Sequence, residues 1–130
     1  MELRNGHFTR EQISRFRSEG YVIATNVFDR ADLDPIRTSL EKEIDVVIQR
    51  LVTEGKLTAT SPDAPFEQRL GLIYHDSNEN GSAILHHLEG MRGGGYQGRS
   101  MFDLITHSKL LDVVSDLVGN EIVASSAYRI

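Results

Sequence analysis

From Leu33 to Leu51 the apolar residues recur at a spacing that a long helix turns to one side: Leu33, Ile36, Leu40, Ile44, Val47, Ile48 and Leu51. Steps of three and four follow the 3.6-residue turn, so the side chains share one stripe that has to be buried against other elements. The spacing predicts that residues 33 to 54 form the longest helix, with Leu40, Ile44, Val47 and Leu51 inside. Pro35 suits its first turn, where a missing N–H removes no bond. Asp29 or Asp34 is placed to cap it, and Phe28 to staple onto Leu33. Gly55 is its stop. A chain of 130 residues built around such a helix is expected to be one domain. That length buries roughly two-thirds of the unfolded surface, so no covalent staple is required.

The flanking segments are shorter. Thr9 and Gln12 have capping-box spacing, Phe8 and Ile13 that of a hydrophobic staple, and Gly20 suits a left-handed helix end. Tyr21-Val22-Ile23-Ala24 reads as a strand. Further on, Lys56 to Pro65 reads as loop, Phe66 to Tyr74 as a helix, Asn78-Glu79-Asn80-Gly81 as a turn, and Ser82 to Met91 as a helix broken by Gly93-Gly94-Gly95. Ser100 and Ser108 look like N-caps. Leu110, Leu111, Val114, Leu117 and Val118 make the face of a last helix ended by Gly119, and Ile122 and Val123 open a strand within Glu121 to Ile130. The expected fold is mainly α with a few short strands. Strands this far apart lack partners, so the chain reads as cut where a sheet begins, and self-association through exposed strand edges is expected.

Composition removes several function classes. Lys and Arg number 14 against 19 Asp and Glu, a net charge of −5 that opposes a nucleic-acid surface. With no cysteine there is no disulfide, thiolate zinc site or iron–sulfur cluster. No apolar run approaches the ~18–20 residues that cross a bilayer. Met1-Glu2-Leu3-Arg4-Asn5 lacks an apolar signal core. A soluble cytoplasmic domain without membrane partners is the expectation.

The candidate chemistry is thin. His87-Leu88-Glu89 has the His-X-acid spacing of a non-haem iron site, for which His75 or His107 would be the distant ligand. Its surroundings favour helix, which turns residues two apart by about 200° from each other, so surface histidines are the plainer reading. Gly93-Gly94-Gly95-Tyr96-Gln97-Gly98-Arg99-Ser100 nearly spells a phosphate loop, with Arg99 where Lys is needed. The residues before it, His86 to Arg92, do not make the buried strand such a loop follows. Asp32 with Asp34, and Glu41 with Glu43, read as dipole-compensating and solubilising charge. No Gly-X-Ser-X-Gly elbow is present. No catalytic residue and no metal ligand is assigned.

The order of segments carries more than any local motif. Phe8-Thr9-Arg10-Glu11-Gln12-Ile13, Phe16, Glu19-Gly20-Tyr21-Val22-Ile23, Asn26-Val27-Phe28 and the long helix resemble the opening of the phytanoyl-CoA dioxygenase family. His107-Ser108-Lys109-Leu110-Leu111 and Val118-Gly119-Asn120-Glu121-Ile122 resemble that family's later helix and first barrel strand. The resemblance implies an N-terminal helical layer over residues 8 to 118, followed at 121 to 130 by the first strand of an incomplete double-stranded β-helix, or jelly roll. For the complete enzyme it implies iron(II), 2-oxoglutarate and a small-molecule substrate. The family's His-X-Asp and distant His have no matching position here, so this chain alone is expected to bind neither cofactor and to be inactive. On the terminal strand, Arg129 is the candidate contact for a substrate carboxylate. The alternative is a non-catalytic helical binding or assembly module derived from the same segment.

Overall fold

The computed structural model describes residues 7–58, 61–89, 96 and 98–125. Within them lie six helices: α1 (Arg10–Glu19), α2 (Arg30–Thr53), α3 (Phe66–Asp76), α4 (Asn78–Glu89), α5 (Arg99–Ile105) and α6 (Ser108–Val118).

The long helix starts at the earlier of its two candidate caps. Asp29 accepts the Asp32 N–H at 3.1 Å while Asp32 accepts the Asp29 N–H at 2.9 Å, a reciprocal box that fixes the start at Arg30. Pro35 therefore lies inside α2 rather than in its first turn. Lacking an N–H, it leaves one intrahelical bond unmade. The stripe is buried as the spacing predicts: Ile36, Leu40, Ile44, Val47, Ile48 and Leu51 form one cluster with Leu57, Ile73, Ile84 and Leu88. Phe66, Leu70, Tyr96, Met101 and Leu104 pack around that cluster. Helices α3 and α4 pack on each other, and α4 and α5 lie against α2. Burying each such Ile or Leu side chain contributes about 1.5–3 kcal/mol, the main force holding α2 to α5 together.

A second, smaller unit sits beside this core. Helix α1 packs on α6, and Phe8 and Val113 are buried outside the main cluster. The Thr9–Gln12 capping box begins α1, and Gly20 ends it at φ 82°, a conformation that only glycine takes without strain. The Phe8 N–H donates to Asp116 Oδ2 at 3.1 Å, so the start of α1 meets the end of α6.

Four local expectations are corrected. Residues 21–25 and 121–125 form no strand, and helices are the only regular elements among the described residues. The mainly-α fold with a few strands, and the first strand of a jelly roll, are thus overturned. A strand needs a ladder partner, and these β-prone segments run outside the helices: Tyr21 and Ile23 are exposed, and Val123 is 95% exposed. Residues 126–130, including Arg129, lie outside the described residues. The Asn78–Gly81 turn is the first turn of α4. There the Ser77 hydroxyl accepts the Asn80 N–H at 3.3 Å, and Asn80 Nδ2 donates to the Lys56 carbonyl at 2.9 Å. Finally, neither serine caps: Gly98 precedes α5 and His107 caps α6, placing Ser100 and Ser108 in first turns.

Candidate functional site

The densest polar constellation in the described residues is where the N-termini of α2 and α6 meet. Two cap sequences supply it: Phe28-Asp29 and Asp32 at the start of α2, His107 and Lys109 at the start of α6. Lys109 Nζ donates to Asp29 Oδ2 at 3.1 Å and also to Asp32 Oδ2. His107 Nε2 stands 3.4 Å from Asp32 Oδ1. The ring also meets Phe28 edge-on, centroids 5.4 Å apart. The Asp32 side chain is only 15% exposed, so it is a half-enclosed anion surrounded by donors.

Electrostatics follow from that geometry. The Lys109 ammonium, then the Asp29 N–H, hold the Asp32 carboxyl below its ordinary value. Reciprocally, Asp32 and then Asp29 hold the Lys109 ammonium above its own. Both acids also sit at the positive end of α2, where carboxylates are favoured. The seam therefore binds charge to charge within the chain.

The histidines singled out for metal do not converge. His87 lies on the exposed side of α4, with Nε2 2.9 Å from Glu43 Oε2 on α2. His75 and His86 are exposed on α3 and α4, and His107 belongs to the seam. Among the described residues no three His, Asp or Glu are arranged to hold a metal ion. Of the carboxylates read as dipole-compensating and solubilising charge, Asp32 is paired with Lys109 in a largely enclosed position, Glu43 meets His87, and Asp34 meets Arg30 at 3.9 Å on the open surface.

The end of the glycine-rich stretch borders an open groove of about 600 Å³, lined by Thr38, Ser39, Lys42, Arg99, Ser100 and Asp103 among others. Gly93–Gly95 lie outside the described residues. Arg99 is engaged with Asp103 at 2.7 Å, and Asp34 also lines the groove, so its charges balance. A groove of this kind lacks the excess positive charge that would gather a polyphosphate.

The capping role of His107 is hidden in the sequence, because imidazole is an uncommon cap and Ser108 beside it is a common one. No local signal pairs Lys109 with the acids at 29 and 32, a contact made only by the tertiary approach of two helix starts. No protein-family profile, curated protein or solved structure matches the chain. No helix among the described residues is long and apolar enough to cross a membrane.

Proposed function

We propose that this chain is the helical N-terminal part of an iron(II)/2-oxoglutarate dioxygenase of the phytanoyl-CoA dioxygenase type, acting there as a non-catalytic buttress. The observation supporting this reading is that the two stretches carrying the family resemblance, far apart in sequence, come together. Phe28, Asp29 and Asp32 from the first meet His107 and Lys109 from the second, and Phe8 is tied to Asp116. The histidines and carboxylates of the described residues do not fit an iron site, so no step of the oxidation is assigned to them. Oxidation of a small-molecule substrate belongs to residues supplied outside this chain, and a cytoplasmic setting accompanies the reading.

The test is succinate formation from 2-oxoglutarate with iron(II) and ascorbate. The 130-residue chain is expected to be silent, and the chain extended through its downstream reading frame to turn over with its substrate. Turnover by the short chain, abolished by His87→Ala, would overturn the assignment of a buttress. Silence of both, with no His-X-Asp downstream, would favour the alternative of a binding or assembly module. That alternative is supported by the apolar side chains left in water: Tyr21, Ile23, Phe102 and Val118 are each more than half exposed.

A further inference from the structure

At the α2–α6 seam both ring nitrogens of His107 are committed. Nδ1 accepts the Lys109 N–H at 3.3 Å and thereby caps α6. An accepting Nδ1 carries no proton, so the neutral ring holds its single proton on Nε2, facing the Asp32 carboxylate at 3.4 Å. The side chain is 28% exposed, and water reaches it. Of the charged groups at the seam, Asp32 of α2 faces its Nε2 directly, and Lys109 of its own helix is held by Asp32 and by Asp29.

We propose that His107 is a proton-operated latch, in which uptake of one proton from water uncaps α6 and exchanges the cation that Asp32 holds. A proton added at Nδ1 points a donor at the Lys109 N–H, and two donors cannot bond. The new positive charge also stands at the positive end of α6 and beside the Lys109 ammonium, both unfavourable. Asp32 acts in the opposite sense, because an imidazolium at Nε2 is a better partner than a neutral ring. The ring therefore stays on Asp32 while its capping bond is lost. The first turn of α6 opens, and with it goes the hold of Lys109 on Asp29 and Asp32. This inference is independent of the family reading, since it rests only on the seam. It spares the apolar cluster of α2 to α5, which contains no residue of α6.

The experiment is amide hydrogen exchange by NMR on the full chain at pH 8 and pH 5, with the His107 ring resonances followed in parallel. Asp32, held below its ordinary value of 3.8, remains ionised throughout. Protection factors for Lys109 and Leu111 are expected to fall about fivefold between pH 8 and pH 5, the loss typical of one N-cap. Those for Ile48 and Ile84 are expected to stay constant. His107→Asn keeps an accepting cap but does not titrate, and should show no drop. Constant protection of α6 between pH 8 and pH 5 in the wild-type chain overturns the latch, whether or not the variant folds. An equal drop in His107→Asn overturns it as well, by assigning the change to another group.

Discussion

Gly81 offers the sharpest test of how α3 and α4 pack. It is buried on α4, and a Cβ built there falls against the ring of Tyr74 on α3, 2.6 Å from Cδ1 and closer still to Cγ. Ring carbons next to the backbone cannot swing aside as a flexible tip does; either Tyr74 changes rotamer or the helices part. Gly71, on α3, has nothing within 4 Å of its added Cβ. In a helix interior, Gly→Ala ordinarily gains about 1 kcal/mol through reduced backbone entropy of the unfolded chain. Gly71→Ala should show that gain in full. For Gly81→Ala the same gain is opposed by overpacking of about 1–3 kcal/mol. The net should run from about zero to a loss of about 2 kcal/mol. In a Tyr74→Ala background the clash is absent, and Gly81→Ala should again stabilise by about 1 kcal/mol. The assay is urea unfolding followed by far-UV circular dichroism, comparing midpoints at unchanged slope. If Gly81→Ala stabilises the wild-type chain as much as Gly71→Ala does, the close approach of α4 to Tyr74 is refuted.

Other consequences follow from the core and the seam. Ile84→Ala, at a fully buried residue of α4, should cost about 2–5 kcal/mol in the same unfolding assay, whereas Val46→Ala, at a residue 59% exposed on α2, should cost under about 0.5 kcal/mol. The Asp32 carboxyl is held below its ordinary value of 3.8 by Lys109 and the Asp29 N–H. Its stabilisation is thus complete well above that pH and is lost as the pH falls through the ordinary value toward the depressed one. Asp32→Asn should lower the urea midpoint at pH 7 and reduce the fall in stability below pH 4, and an unchanged acid limb would refute the pairing. Lys109→Met should bring the Asp32 carboxyl back toward its ordinary value, read as a rise in its NMR titration midpoint.

Much of the helical layer was legible because its determinants are local. The stripe from Ile36 to Leu51, the Thr9–Gln12 box and the left-handed Gly20 are set by neighbours within a turn or two, and they appear where their spacing places them. The burial of Leu40, Ile44, Val47 and Leu51 follows from periodicity alone, since one stripe on a long helix has only one way to face a core. The candidate site was less legible. Asp29 was readable as a cap and Asp32 as dipole compensation, but neither role announces a lysine and an imidazole arriving from far along the chain.

Where the readings failed, tertiary contacts or their absence outweighed local preference. Tyr21 to Ala24 and Ile122-Val123 have the composition of strands, yet a strand is stabilised by a neighbour's backbone, which no local composition supplies. Asn78 to Gly81 have the composition of a turn, yet Lys56 takes the Asn80 amide and the ring of Tyr74 occupies the space above Gly81, so the segment is helical. His107 replaced Ser108 as the cap because Asp32 and Phe28 hold its ring in place from across the seam. The residues alone were enough to specify the helix faces, since 3.6-residue periodicity and capping act within a few residues; pairing those faces, and bringing two helix starts together around Asp32, depended on contacts that exist only once the chain has folded.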